Sequence, residues 1–259
     1  MGGLRIIVTR PQAQAGPWVD ALRAVGCDAH ALPLIDIAPA AEPAPVRAAW
    51  GQVAGYALVM FVSANAVQHF FALRPEGAAW PASTLAGSTG PGTTAALRQA
   101  GVPASSIVQP LPGAPFDSEG LWARLAASPW LGREVLVVRG EDGRDWLADR
   151  LRAAGALVEP VAAYRRLAPT PTPAARTLLD AAVAHPEVHC WLFSSSQAVA
   201  HLRDLAHHAD WTASHALASH PRIATSARLA GFGDVHLVEP QPSAVAGAIA
   251  QLQWQASTP

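Results

Sequence analysis

The sequence contains no lysine, and all 18 of its basic residues are arginine. A chain without lysine cannot form a lysine Schiff base, and it lacks the lysine that P-loop and kinase active sites require. Only 14% of the residues are charged, and the formal net charge is -1. A nucleic-acid-binding protein needs a clear basic excess, so we expect no nucleic acid as a partner.

Cysteine and long apolar runs are also scarce. Cys27 and Cys190 are the only cysteines, too few for a zinc-finger framework or a disulfide scaffold. The longest strictly apolar run, Tyr56 to Val62, is far too short to span a membrane, and no signal-peptide pattern opens the chain. We therefore expect a cytoplasmic protein with no membrane partner. With 51% apolar residues it can still bury a full core.

Strand-like and helix-like segments alternate along the chain. Short apolar segments predict strands over residues 5–8, 29–37, 56–62, 84–88 and 134–138, with a long extended segment over 157–167. Helical spacing predicts helices over 12–25, from about 64, and over 93–100, 117–127 and 146–154. Residues 39–45, rich in proline and alanine, indicate a linker or the approach to a helix. This alternation predicts α/β architecture, with parallel sheets flanked by helices.

An internal repeat divides the chain into two similar halves. Residues 5–10 resemble residues 134–139, and each strand is followed by a helix that ends in Leu-Arg-Ala-x-Gly, 129 residues apart. Residues 61–67 resemble residues 193–199 at a spacing of 132, and Gly90-Pro91 loosely matches His220-Pro221. Three matched units in the same order predict two similar lobes. A ligand between such lobes is expected at strand carboxyl ends and helix N-termini.

The repeat places five polar side chains at such positions: Arg10, Ser63, Thr93, Arg139 and Ser195. The arginines are candidate contacts for an anionic ligand, and their alternative role is that of solvated or structural arginines. The serines and the threonine are candidate ligand contacts near free backbone N–H groups. Their alternative role is helix N-capping, which is compatible with binding.

The ordered set of motifs resembles the uroporphyrinogen-III synthase family from Ile6 to about Ile249. The motifs are Val8-Thr9-Arg10-Pro11, Phe61 to Val67, Gly90-Pro91-Gly92-Thr93, Asp117 to Leu121, Val137 to Gly140, Gly155 to Arg165, Phe193 to Ser195 and Pro242-Ser243. The resemblance implies an enzyme without metal or cofactor that closes hydroxymethylbilane to uroporphyrinogen III. Water is lost in that reaction and the last pyrrole ring is inverted.

The resemblance also implies a division of the chain. One lobe would be discontinuous, residues 1–36 plus 169–259, and the other would span residues 37–168. A two-stranded β-ladder near residues 33–40 and 160–168 would join them. We expect a monomer whose partner is the small-molecule substrate.

The resemblance assigns the catalytic role to Tyr164, which matches a family tyrosine that faces the cleft and can donate a proton. Its alternative role is that of a packing tyrosine. Arg144, Arg165 and Arg166 are candidates to add positive potential near the cleft, but a solvated face is expected for them. The family often has Gly-Pro-x-Thr in the second position of the repeat, where this chain has His-Pro-Arg-Ile. His220 and Arg222 are therefore hypothesised to contact substrate carboxylates in place of the missing threonine.

Two alternatives compete with this interpretation. His201, Asp204 and His208 share a helix face by spacing, and His185, His189 and Cys190 are close in sequence, but neither set forms a defined metal signature, so no metal is expected. The alternative function is that of a catalytically inactive, two-lobed polycarboxylate-binding or regulatory module, because a fold does not fix an activity.

Overall fold

The computed structural model describes residues 3–141 and 146–256. These residues form eleven strands: β1 (Arg5–Val8), β2 (Asp28–Ala31), β3 (Asp36–Pro39), β4 (Leu58–Phe61), β5 (Leu85–Ser88), β6 (Ile107–Val108), β7 (Glu134–Gly140), β8 (Leu157–Leu167), β9 (His189–Phe193), β10 (His215–Ala218) and β11 (Asp234–Leu237). They also form ten α-helices: α1 (Gln12–Ala24), α2 (Ala44–Gly51), α3 (Ala64–Phe71), α4 (Pro91–Gln99), α5 (Ser118–Leu125), α6 (Trp146–Ala153), α7 (Pro173–Ala184), α8 (Ser196–Leu205), α9 (Pro221–Leu229) and α10 (Pro242–Ala256). None of these helices has the length and apolar character needed to cross a membrane.

The chain folds into two compact units. Unit 1 comprises residues 1–36 and 167–259, and its five-stranded sheet has the order β11-β10-β9-β1-β2, with parallel pairing throughout. One core, built around Ile6 and Leu192, packs under α1 and α10. A second group of aromatic rings includes Trp191, Phe193 and Phe232. A parallel sheet covered on both faces in this way explains the nearly continuous apolar strands of the sequence.

Unit 2 comprises residues 37–166, and its six-stranded sheet has the order β3-β8-β7-β4-β5-β6. The strands β8, β7, β4, β5 and β6 pair in parallel. β3 and β8 are neighbours, and the backbone N–H of Ala40 donates to the carbonyl of Ala163 at 3.2 Å. The chain changes from one unit to the other at the start of β3 and near the end of β8. The predicted fold class is confirmed, two α/β lobes with parallel sheets flanked by helices.

The strand registers agree with the internal repeat. In unit 1, Val8 of β1 pairs with Leu192 of β9. Their counterparts in the repeat, Val137 of β7 and Met60 of β4, pair with each other in unit 2. The strand order is also the same, since β10-β9-β1-β2 corresponds to β5-β4-β7-β8. A register that slipped by one residue would turn every side chain to the other face, so this agreement is a strong sign of two equivalent units.

The region between β2 and α2 differs from the sequence prediction in one feature and agrees with it in another. The single strand predicted over residues 29–37 is wrong, because it is divided into β2 and β3, which belong to different sheets. Pro33 lacks an N–H group and cannot continue a ladder, and the chain leaves the first sheet there. The proline-rich approach leads directly into α2, where Pro45 occupies the first helical turn, a position that tolerates proline.

Candidate active site

The predicted site residues of unit 2 lie at the carboxyl edge of its sheet. Ser63 follows β4, Thr93 lies in the first turn of α4 after β5, and Arg139 and Tyr164 lie near the carboxyl ends of β7 and β8. Parallel strands bring their carboxyl ends to one edge of a sheet, which is where ligands of open α/β folds bind. Of these four residues, the structure brings Ser63 and Tyr164 into direct contact.

Ser63 is the N-cap of α3, and its Oγ accepts a hydrogen bond from the backbone N–H of Ala66 at 3.2 Å. The capping role weighed for this residue is therefore confirmed. The same Oγ lies 3.2 Å from the Oη of Tyr164. Ser63 is only partly buried, whereas the Tyr164 ring is fully buried. The phenol of Tyr164 is thus in hydrogen-bond contact with a residue that is less buried than itself.

Arg166 completes this group of side chains. Its Nη2 donates a hydrogen bond to the Tyr164 Oη at 3.0 Å, and its guanidinium carbon lies 5.5 Å from the centre of the tyrosine ring. The expectation of a solvated face is therefore wrong for Arg166, whose side chain is partly buried against a neighbour on its own strand, and for Arg165, whose Nε is buried. The spacing of two residues, which places Tyr164 and Arg166 on one face of β8, could have revealed this contact. Arg144 lies outside the described residues.

The full burial of Tyr164 fits the packing role weighed for it as the alternative, and it is compatible with a hydrogen bond from its hydroxyl to a neighbour. The pairing of β7 with β8 has a register shift at Arg139 and Gly140, so that Gly140 lies opposite Tyr164. Glycine has no side chain here, and the tyrosine ring occupies the space that a Cβ would need. The bulge and the glycine together explain why the phenol packs inward.

Substitution of Gly140 by alanine is expected to displace the Tyr164 phenol. A Cβ at this position would lie 3.1 Å from the tyrosine Cζ and 3.4 Å from its Oη, which is tight for a buried ring. Overpacking of this kind typically lowers the free energy of unfolding by about 1–3 kcal/mol. We expect a loss of turnover larger than that of Gly87→Ala, a strand glycine whose Cβ would meet the Leu58 side chain at 3.3 Å. Equal turnover in the two variants, measured on folded protein, would contradict the prediction.

His69 lies beside the same phenol, with its ring stacked on that of Tyr164 at a centroid distance of 6.0 Å. Burial lowers the pKa of His69 below its ordinary value of 6.5. The imidazole is therefore neutral at neutral pH and places no positive charge against the tyrosine ring.

A pH dependence of stability follows from this burial. At a pH below about 6.5 the unfolded chain binds a proton at His69 more readily than the folded chain does. The free energy of unfolding therefore decreases as the pH is lowered through this range. We expect this fall to be smaller in His69→Leu than in the wild type, in urea unfolding measured between about pH 7 and pH 5. The exposed His208, replaced by leucine, serves as the control. A His69→Leu curve parallel to that of the wild type would contradict the assignment.

The other tyrosine of the chain, Tyr56, is unsuited to proton donation. Its hydroxyl donates to the Glu159 carboxylate at 2.9 Å, near the amino end of β8. Burial, and secondly this hydrogen bond, raises the pKa of Tyr56. Tyr164 is therefore the tyrosine whose place in the fold suits catalysis.

Thr93 and Arg139 have different surroundings from those expected. Gly90, not Thr93, is the N-cap of α4, so the capping role weighed for Thr93 is wrong. Thr93 lies buried in the first turn of a helix that begins without a side-chain cap. Arg139 is half-buried, and its Nε donates to the carbonyl of Gly140 at 3.2 Å. This contact holds the Arg139 guanidinium close to Gly140, the residue that lies opposite Tyr164.

Arg10 is the positive group at the carboxyl edge of unit 1. It follows β1, and its guanidinium lies 4.2 Å from the centre of the Trp18 ring, a cation–π contact. Burial lowers the pKa of Arg10. Its Nε is buried and has no hydrogen-bond partner among the described residues, and its Nη1 reaches only the Gln14 amide oxygen at 3.5 Å. An added carboxylate can therefore bind only at the terminal nitrogens of this guanidinium, where the contact with Gln14 is long.

The two neighbouring strands of unit 1 end in helix caps. Ser195 is the N-cap of α8, where its Oγ accepts from the Gln197 N–H at 3.2 Å, as the capping alternative predicted. His220 is the N-cap of α9, and its Nδ1 accepts from the Arg222 N–H at 3.1 Å. Since Nδ1 accepts, the ring proton lies on Nε2, which can donate to a ligand. The Arg222 side chain is exposed.

A groove of unit 1 lies away from these residues. It has a volume of about 920 Å³ and opens between α1 and α7, and none of the predicted site residues lines it. Its charged lining includes Asp20 and Asp36, while the Nε of Arg23 already donates to the carbonyl of Ala29. This arrangement is unfavourable for an anionic ligand. Within residues 3–141 and 146–256, no three His, Cys, Asp or Glu side chains are grouped so that they could hold a metal ion.

Comparison with known proteins decides the family. The family model of uroporphyrinogen-III synthase HemD matches residues 16–247, most of the chain. The chain belongs to the uroporphyrinogen-III synthase family. It is 27% identical to the uroporphyrinogen-III synthase of Synechococcus elongatus over 245 residues, which cover 93% of this chain and 84% of that protein. The uroporphyrinogen-III synthase of Proteus mirabilis is 29% identical over 165 residues, 63% of this chain and 81% of its own length.

The solved structures of this family share the fold. A mutant uroporphyrinogen III synthase of Thermus thermophilus matches with a TM-score of 0.59 at 19% identity, over 97% of this chain and 99% of that one. At such low identity the match demonstrates a common fold and does not assign the site residues. Members of the uroporphyrinogen-III synthase family are enzymes of tetrapyrrole biosynthesis, so the recognition drawn from the motif order is confirmed.

Proposed function

We propose that this protein closes hydroxymethylbilane to uroporphyrinogen III, with loss of water and inversion of the last pyrrole ring. The observation that carries the proposal is the contact of the Tyr164 phenol with both Ser63 and Arg166 at the carboxyl edge of unit 2. The departing hydroxyl group of the substrate needs a proton, and its loss leaves a cationic azafulvene. A phenol held in hydrogen-bond contact with a partly exposed hydroxyl supplies that proton.

Substrate binding is the second part of the proposal. Hydroxymethylbilane carries several carboxylates, and an arginine can bind a carboxylate through two hydrogen bonds. Arg10 binds one of them at unit 1 through its terminal nitrogens, and Arg139 binds another at unit 2. His220 and Arg222 take the place of the missing threonine, with the His220 Nε2 as donor.

Ser195 and Thr93 contribute through the helix ends they occupy. Ser195 caps α8, and Thr93 lies in the first turn of α4. Backbone N–H groups at such helix ends attract anions. Both residues would orient carboxylates of the substrate beside these N–H groups, with Thr93 acting from a buried position.

The main task of the enzyme is conformational. The azafulvene closes without an enzyme to the symmetric I isomer, whereas the III isomer requires attack through the already substituted carbon of the last ring. A spiro intermediate then forms, fragments and recloses. Holding the chain so that the spontaneous closure is out of reach is catalysis by orientation, and excluding water protects the cation.

A coupled assay tests the proposal. Hydroxymethylbilane is generated in situ by its synthase, this protein is added, and the oxidised products are separated into I and III isomers by chromatography. A dominant III isomer that depends on the added protein is expected, and it should be insensitive to a chelator. If folded protein yields only the I isomer, the enzyme proposal fails and the inactive polycarboxylate-binding module replaces it.

A further inference from the structure

The hydrogen-bond partners of Tyr164 fix the direction of its proton. Among the described residues, the Tyr164 Oη contacts two groups, the Nη2 of Arg166 at 3.0 Å and the Oγ of Ser63 at 3.2 Å. The guanidinium has donors and no acceptor, so the phenol oxygen must accept there. The phenol proton of this fully buried residue therefore has Ser63 as its acceptor.

The same reasoning fixes the proton of Ser63. Its Oγ accepts from the Ala66 N–H at 3.2 Å, and it accepts a second hydrogen bond from Tyr164. A serine oxygen has two acceptor positions and one O–H donor. Both acceptor positions are taken, so the remaining O–H is free to point outward from the partly buried residue. Ser63 thus presents a donor, and not an acceptor, to a ligand.

The geometry points to Ser63 as the group that touches the substrate and to Arg166 as a positioning residue that directs a proton relay through Tyr164. This inference rests on the proposed function. It reassigns the direct proton donor from Tyr164, which is fully buried, to the hydroxyl of Ser63, a residue that is only partly buried.

The relay balances in protons and charge. The Ser63 Oγ–H proton passes to the oxygen of the departing hydroxyl group. The C–O bond breaks, water leaves, and the azafulvene cation remains bound. The Tyr164 proton passes to the Ser63 Oγ, and the phenolate that remains is paired with the Arg166 guanidinium. When the last ring becomes aromatic again it loses a proton, and this proton returns through Ser63 to Tyr164.

Kinetics of variants at Ser63 give the first test. Ser63→Ala removes the hydroxyl and also the cap of α3, so Ser63→Asn is added, because asparagine caps a helix but has no hydroxyl. Both variants are expected to lower kcat by about 10²-fold or more, with a much smaller change in KM. Ser63→Thr, which keeps a hydroxyl, should retain most of the wild-type kcat. Wild-type kcat in folded Ser63→Asn would overturn the relay.

Variants at Arg166 test the positioning role. Arg166→Met is expected to lower kcat by roughly tenfold or more, and Arg166→Lys, which keeps a cationic donor, should recover part of the loss. Arg124→Met, at an exposed arginine in the last turn of α5, is the matched control and should leave kcat unchanged. In mixtures of light and heavy water, a plot of wild-type kcat against the deuterium fraction should be curved, because more than one proton moves in the transition state. A linear dependence, or an Arg166→Met variant that behaves as the control, contradicts the inference.

Neutron diffraction separates this inference from the proposed function. In crystals of the wild-type protein exchanged into heavy water, we expect a deuterium on the Tyr164 Oη directed at Ser63, and the Ser63 deuterium directed elsewhere. A Ser63 deuterium directed at Tyr164 overturns the relay even if the enzyme makes the III isomer. Absence of the III isomer with the wild-type protein refutes the proposed function, whatever the deuterium positions.

Discussion

Replacement of Tyr164 by phenylalanine is expected to lower kcat for uroporphyrinogen III formation by about 10²- to 10³-fold, the range of a lost general acid. The ring of phenylalanine fills the same buried space, so the core of unit 2 is retained. Arg166 and Ser63 each lose their partner at the phenol oxygen. Leaving such groups unpaired costs about 1–3 kcal/mol of unfolding free energy, which denaturant unfolding can measure.

The products of this variant are as informative as its rate. When the enzyme releases water from its substrate more slowly, more of the substrate closes spontaneously without the enzyme. The share of the I isomer should therefore rise in the coupled assay. Tyr56→Phe is the matched control, because it removes a tyrosine hydroxyl that bonds Glu159 near the other end of β8. A folded Tyr164→Phe protein with wild-type kcat would refute the catalytic role.

The fold could be predicted from the sequence because its determinants are local and repeated. The strand Arg5–Val8 and its counterpart in β7 are short apolar runs followed by helices of the same pattern, and this periodicity predicts parallel β-α units. The division of residues 29–37 into β2 and β3 was missed because both parts have the same extended, apolar character. The two strands can be distinguished only by their pairing partners, because β2 pairs in the sheet of unit 1 and β3 in the sheet of unit 2.

The positions of the candidate residues at strand ends were predictable, but their contacts were only partly so. Arg10, Ser63 and Ser195 were found because each follows a strand of the repeat, and parallel strands must end at one edge. The contact of Arg166 with Tyr164 was missed because a pair of arginines after a tyrosine is usually solvated. The alternation of side chains along a strand puts Arg166 on the face of Tyr164, and this spacing was the signal that could have predicted the contact.

The burial of Tyr164 depends on the register of two strands that lie far apart in sequence. The shift between Arg139 and Gly140 brings Gly140, and not its neighbour, opposite the tyrosine. A bulge moves every later side chain by one position, and it has no distinct signature in the amino-acid pattern. The inward phenol is therefore a tertiary feature, and the proposed relay through Ser63 depends on it.

Replacement of Trp191 by alanine is expected to lower the free energy of unfolding by about 3–5 kcal/mol, as for other fully buried aromatic side chains. Trp191 lies in β9, the central strand of unit 1, with no exposed surface. Its ring stacks on Phe193 at a centroid distance of 6.1 Å and meets Trp211 edge-on at 5.5 Å. The alanine variant leaves a cavity among these rings that a parallel sheet, fixed on both sides, cannot close.

Trp191→Phe separates the packing from the polar group of this residue. The Trp191 Nε1 is buried without a hydrogen-bond partner among the described residues, which is unfavourable in the folded state. Phenylalanine keeps an aromatic ring and removes this donor, so its loss of stability should be well below that of alanine. Denaturant midpoints at constant m-value measure both effects. Equal losses in the two variants would contradict the argument, because they would mean that the ring contacts contribute little.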